Sequence, residues 1–286
     1  MTEKRKKPQS IQVPKFIRTG MSLLETLSVH LAFKFAWYFF FRPIRFPYGA
    51  KEKELLKKAS IENRKLSSGH PFHVLRWGKG EKAVVLMHGW SGRGTQMEAL
   101  IEQLVYSGFE IFAIEPPGHG LSPGSQTNML EFQEALHIVK KEYPYIQFAI
   151  GHSLGGIAST LEQKRHHSFE RIVIIGSPSN MTDLIHRFCN SINVSSKVEQ
   201  RLRSHLEEEY QIKLDDFSGF SIVESLDVPG LIVHDEDDAD VDFQDAFHFQ
   251  KHWKGSEVMI TKGQGHRRIL RDKQVIERIL AFLGKQ

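Results

Sequence analysis

The chain of 286 residues contains one cysteine, Cys189. A single thiol excludes an internal disulfide and any CxxC metal or redox motif, and it fits a reducing, cytoplasmic setting. Charge of one sign is scarce as well. The formal net charge is +4, and much of that excess comes from the N-terminal Glu-Lys-Arg-Lys-Lys run at residues 3–7. The remainder lacks the broad basic face that nucleic-acid binding needs, so nucleic acid is set aside as a partner. Long apolar runs are missing too. The uninterrupted stretch Phe35 to Phe41 is too short to cross a bilayer, and Glu25, His30 and Lys34 break the longer window around it. No small-residue cleavage site follows, as a secretory signal would require. Although there are fifteen histidines, no H-E-x-x-H occurs, and the pair His166-His167 reads as surface rather than as metal ligands.

An apolar content of 40% with 25% charged residues describes a soluble globular protein with one large domain. Residues 1–50 differ from the rest, being basic and then aromatic, and are expected to form a helical extension. Two readings of that helix are carried forward: an aromatic face packed on the protein's own body, or an interfacial helix making peripheral membrane contact. From residue 51 to the end, short apolar runs alternate with helix-spaced segments. The runs are "FHVLRW", "AVVLMHG", "EIFAIE", "IQFAI", "RIVIIG", "GLIVHD" and "EVMIT". This alternation implies an α/β fold with a mostly parallel central sheet flanked by helices. Residues 180–227 interrupt it, being polar and largely helical, and are expected to form a small cap. Chemistry should then lie at the C-terminal ends of the strands.

Just past "IQFAI" stands Gly151-His152-Ser153-Leu154-Gly155-Gly156. In a G-x-S-x-G turn the glycines permit a bend sharp enough to expose the serine oxygen, and the backbone N–H of Leu154 faces a developing oxyanion. A serine needs a base. His266, in the loop between the last strand and the closing helix, is the histidine placed to supply it, whereas His152 points off the turn. An imidazole needs a carboxylate behind it, and "HDEDDADVD" offers Asp235, Glu236, Asp237, Asp238, Asp240 and Asp242. An EF-hand beginning at Asp238 is excluded, because Phe243 and Phe249 stand where glycine and glutamate are required. The residues alone leave the choice of acid open.

From about residue 70 onward the chain resembles the α/β-hydrolase fold family, and in particular its esterase-like serine hydrolases, including bacterial members with "GHRRIL" endings. The motifs that carry the likeness are His88-Gly89-Trp90, "EPPGHGLSPG", "GHSLGG", "VHDEDDADV" and "GQGHRRIL", in the chain order Ser, Asp, His. The resemblance implies Asp238 as the acid, with Asp237 as a rival because Asp235 stands where glycine is usual. It also implies the Trp90 N–H as the second oxyanion donor. The expected function is hydrolysis of a carboxylic ester or related acyl bond of a small-molecule substrate through Ser153, His266 and Asp238, with no metal or organic cofactor. An acyltransferase or lyase on the same residues, or a small-ligand binding module without catalysis, are the alternatives. A dehalogenase is disfavoured because it wants aspartate where Ser153 stands.

Overall fold

A computed structural model describes residues 13–284. Eight strands form one sheet: β1 (Ser60–Lys65), β2 (Pro71–Trp77), β3 (Lys82–Met87), β4 (Phe109–Glu115), β5 (Ile146–His152), β6 (Arg171–Ile175), β7 (Gly230–Asp235) and β8 (Ser256–Thr261). Their order is β1-β2-β4-β3-β5-β6-β7-β8. β2 pairs antiparallel with β1 and with β4, and every other pairing is parallel. The expected mostly parallel sheet is therefore present. β4 and β7 are buried along their whole length because helices cover both faces, which is why they read as continuous apolar runs.

The helices are α1 (Lys15–Leu27), α2 (Val29–Phe40), α3 (Ala50–Lys57), α4 (Glu98–Tyr106), α5 (Met129–Glu142), α6 (Leu154–His166), α7 (Met181–Ile192), α8 (Ser196–Tyr210), α9 (Gly219–Val223), α10 (Gln244–His252), α11 (Gly265–Arg268) and α12 (Lys273–Leu283). α5, α6, α9 and α10 close one apolar cluster against the sheet, and α3, α4 and α12 close another.

Three elements depart from the sequence expectation. β1 is a mostly exposed edge strand whose sequence, Ser-Ile-Glu-Asn-Arg-Lys, carries no apolar alternation to reveal it. α3 follows a stretch with no strong apolar period. The N-terminal helix is two helices, because Ser28 adopts an extended conformation (φ −163°) and its hydroxyl caps α2 by accepting the Leu31 N–H.

A third apolar cluster joins segments far apart in sequence. Met21, Ala32, Phe33 and Ala36 of α1 and α2 pack with Ile185, Cys189, Ile192, Val198, Leu202 and Leu206 of α7 and α8. The N-terminal helices and the cap thus share one core, sealed by the edge-on contacts of Trp37 and Phe33 with His205. Beyond α2 the chain is stitched to the loops at the strand ends. Arg45 donates to the carbonyls of Gly118 (3.0 Å), Gly120 (3.2 Å), Ser122 (2.5 Å) and Gly124 (3.0 Å). No helix among the described residues is long and apolar enough to cross a membrane.

Candidate active site

β5 ends at His152, and α6 begins at Leu154. The residue between them, Ser153, has φ 53° and ψ −121°, a left-sided backbone that a non-glycine residue adopts only when its surroundings enforce it. The enforcement is visible. The Ser153 N–H donates to the Ile175 carbonyl at the end of β6 (2.8 Å), and Gly156 N–H bonds back to the Ser153 carbonyl (3.0 Å). A side chain at Gly155 would overlap the Met87 carbonyl of β3, so α6 can start this close to the sheet only with glycine there. As the first helical residue, Leu154 has no intrahelical acceptor for its N–H.

His266 lies in α11, just past β8, and is buried. Its Nδ1 is 2.7 Å from Oδ2 of Asp238 in the β7–α10 loop. The rival Asp237 does not make this contact; its backbone N–H instead donates to Oδ1 of Asp235 (3.0 Å). Asp238 is almost wholly buried, which by itself raises a carboxyl pKa. Hydrogen bonds from His234 and His266 and from the Val241 N–H outweigh that burial and hold Asp238 well below the usual carboxylate range.

Ser153 and the His266–Asp238 pair both lie against the end of β6. Ile175 accepts from the Ser153 N–H. A Cβ on the next residue, Gly176, would stand 3.2 Å from His266 Nδ1 and 3.3 Å from Asp238 Oδ2. On the other side, a Cβ at Gly89 would stand 2.8 Å from Ser153 Cβ, so the His88-Gly89-Trp90 turn abuts the serine. The Trp90 indole stacks on Phe132 (6.5 Å between centroids, 25°) and meets His119 edge-on.

Several residues of this site carried little or no signal in the sequence. Asp235, fully buried at the end of β7, accepts from the Gly265 N–H (2.7 Å), the Gln264 N–H (3.0 Å) and the Thr261 hydroxyl (2.7 Å). It therefore fixes the residues immediately before His266. Burial would raise its carboxyl, but these bonds hold it lowered. An aspartate directly ending a continuously apolar strand run is the sequence signal that could have marked it. His152 is within 2.8 Å of the His266 carbonyl through Nε2, and burial pushes its pKa down to about 3, so the neutral ring donates to that carbonyl.

The loop after Gly89 is held with equal care. Ser91 N–H donates to His119 Nε2 (3.0 Å), the Ser91 hydroxyl accepts from the Ile44 N–H (2.9 Å), and Gly94 N–H donates to Glu115 (3.1 Å). Arg93 is paired with Glu52 inside the fold (2.7 Å) and also donates to the carbonyls of Phe46 and Pro47. Residues 44–52 thus clamp the loop that carries the Trp90 N–H. Glu115 is pushed up to about 7 by burial, against the N–H groups of Leu121 and Gly94.

One cluster among the described residues has the residue types and spacing to hold a metal ion. It comprises His137, Glu162 and His166, whose ligand atoms lie within 4.8 Å of one another. It sits on α5 and α6, and the Glu162 carboxylate is already engaged by Gln133, His137 and Ser168. His166 pairs with His137 by stacking (4.0 Å), not with His167.

A family model described as serine aminopeptidase, S33, matches residues 78–219, a span that includes Ser153 and stops short of Asp238 and His266. The mouse protein described as serine hydrolase BPHL is 26% identical over 241 residues, covering 74% of this chain and 82% of that protein. Among solved structures, the Pyrococcus furiosus esterase Pf2001 aligns with a TM-score of 0.66 at 16% identity, over 85% of this chain and 97% of that one. The esterase EaEST from Exiguobacterium antarcticum aligns with a TM-score of 0.62 at 16% identity, over 78% and 99%.

Proposed function

We propose, for a chain that belongs to the α/β-hydrolase fold family and acts as a hydrolase, that Ser153, His266 and Asp238 form its catalytic triad and cleave a carboxylic ester or related acyl bond through an acyl-enzyme. The observation that carries this reading is the 2.7 Å contact of His266 Nδ1 with Asp238, set across the β6 end from a serine held at φ 53°.

Ser153 Oγ attacks the acyl carbon while its proton passes to His266 Nε2. Asp238, ionised well into the acid range, accepts the Nδ1–H of His266, fixes the tautomer and stabilises the imidazolium. The tetrahedral oxyanion is received by the N–H groups of Leu154 and Trp90; loss of one such donor costs about 3–4 kcal/mol of barrier. The intermediate collapses as the alcohol leaves with the proton from His266. Water, deprotonated by the same ring, then attacks the acyl carbon and releases the acid and Ser153. The serine hydrolases and esterases that this chain resembles support the reaction class.

The test is turnover of p-nitrophenyl esters from short to long acyl chains, with Ser153→Ala, His266→Ala and Asp238→Asn beside the wild type. Loss of at least about a thousandfold in kcat for the first two variants is the expected result. Wild-type turnover that survives Ser153→Ala would remove the acyl-enzyme reading.

A further inference from the structure

We propose that the outward face of α1 and α2 docks on an anionic phospholipid surface, with a lipid headgroup phosphate received in the basic cleft between α2 and α8. This goes beyond the proposed hydrolase chemistry and stands without it.

The first observation is where apolar surface remains uncovered. Of the thirteen large hydrophobic side chains exposed among the described residues, nine fall between Phe16 and Phe46. On α1 they are Phe16 (76% exposed), Leu23 (61%) and Leu27 (82%). At about 100° per residue these three fall within an arc of about 40°. On α2, Leu31, Phe35, Tyr38 and Phe39 fall within about 100° of arc, centred about 120° round the helix from Ala32, Phe33 and Ala36, which enter the core shared with the cap. α2 is apolar on both sides, yet only one side has a partner. A helix with this composition on a water-exposed side is at home in the boundary between lipid headgroups and acyl chains.

The second observation is charge. Residues 1–18 contain six basic residues and one acidic residue, a local +5 that exceeds the +4 of the whole chain. Within α1 and α2 the only acidic residue, Glu25, is half-exposed and accepts from the Ser195 N–H of the cap (2.9 Å), while Lys15, Arg18 and Lys34 are exposed. Such a segment is attracted to anionic lipid. The exposed Lys15, Arg18 and Lys34 also disfavour a second copy as the occupant, because a two-fold contact through this face would bring like charges together.

The third observation is a cleft of about 570 Å³ alongside the face. It is lined by His30, Lys34, Arg201 and His205 around the rings of Phe33 and Trp37, and by Ser204 and Glu208, whose carboxylate lies 4.0 Å from His205 Nδ1. Four cationic or protonatable side chains over an aromatic floor suit a phosphate attached to an apolar body. Because the inner sides of α1 and α2 pack on the cap, docking through the outer side would hold the cap at the bilayer. Substrate of the proposed hydrolase would then be a lipid-derived acyl compound reached from the interface.

The experiment is co-sedimentation of the full chain with vesicles of phosphatidylcholine alone and of phosphatidylcholine with phosphatidylglycerol. The expected result is a bound fraction at least about tenfold higher with the anionic lipid, falling as salt rises. Leu27→Asp with Phe35→Asp, and separately Lys34→Glu, should each cut that binding about tenfold while leaving thermal unfolding in place. Turnover of soluble p-nitrophenyl butyrate should be unchanged in both. Vesicle binding needs no catalysis, and Ser153→Ala should bind like the wild type, so failure of docking and failure of the hydrolase reading are read separately. Equal binding to both vesicle types, or no sedimentation with either, would overturn the proposal. So would inorganic phosphate raising thermal stability with no vesicle binding, which would make the cleft a site for a free anion. Self-association abolished by Phe35→Asp in the absence of vesicle binding would assign the face to a second copy instead.

Discussion

Replacing Asp235 tests whether the base is held by the loop before it. Asp235 Oδ1 accepts from the N–H groups of Gly265 and Asp237, and Oδ2 accepts from the Gln264 N–H and the Thr261 hydroxyl. Asparagine keeps one oxygen but turns the other position into a donor facing the Gln264 N–H. One bond is lost outright and three lose their charge assistance. With charged bonds worth about 1.5–3 kcal/mol and neutral ones about 0.5–1.5, the losses in Asp235→Asn add up to about 4–7 kcal/mol, an upper bound because the four bonds share one charge. Alanine leaves three N–H groups short of an acceptor and should cost somewhat more. The residue after Gly265 is His266, so a loosened loop displaces the proposed base from the serine. A drop of about 10–100-fold in kcat is expected, with KM nearly unchanged because the loop orients the base and not the substrate. Urea unfolding followed by circular dichroism gives the stability, and p-nitrophenyl butyrate kinetics under conditions where the variant is fully folded give kcat and KM. An Asp235→Ala protein with kcat within about twofold of wild type would refute the reasoning.

Three further outcomes are expected. Burial pushes His88 down to about 4, His152 down to about 3 and His119 well below its usual value, so the unfolded chain takes up protons between pH 6.5 and 4 that the folded chain does not. Stability is therefore present above pH 6.5 and is lost as pH falls, by about 2 kcal/mol at pH 5 for each of His88 and His152, with His119 acting in the same direction. Glu115, pushed up to about 7, and Glu98, also raised by burial, work in the opposite sense, leaving a smaller net loss; a urea midpoint at pH 5 equal to that at pH 7 would contradict the balance. Arg45→Ala removes donors to four carbonyls of the 118–124 loop and should cost about 1–3 kcal/mol in urea unfolding, with a smaller effect on turnover. Deleting residues 1–47 uncovers Ile185, Cys189, Leu202 and Leu206 of the cap and removes the two carbonyls that accept from Arg93, so the shortened chain should bind a hydrophobic dye and aggregate; a monodisperse, dye-negative product would show that the cap core is self-sufficient.

The turns that hold Ser153 and His266 were legible because their signals are local. A glycine-flanked serine between an apolar run and a helix-spaced stretch needs only its neighbours to be recognised. The same holds for a histidine between the last apolar run and the closing helix. The parallel sheet was legible for a related reason: strands buried on both faces must be continuously apolar, and helices that cover them must not be. β1 escaped notice because an exposed edge strand has no such constraint. The acid could not be picked by position in a loop of six carboxylates. Only the family likeness favoured Asp238, and only the three-dimensional path of the β7–α10 loop brings that one to 2.7 Å from His266.

By itself, then, the sequence determined the layered α/β plan, the serine turn and the position of His266 between the last strand and the closing helix, all of which follow from residues near one another in the chain. Tertiary structure decided what depends on distant segments meeting. It turned Asp235 into the anchor of the His266 loop, 30 residues away in the chain. It set Arg45 and residues 46–52 against the loops at the strand ends. It merged the N-terminal helices with the cap into one core, leaving their other side bare. The physical reason is that hydrophobic patterning states which side of a segment is buried, whereas the identity of the partner is fixed only when the chain folds back and packs.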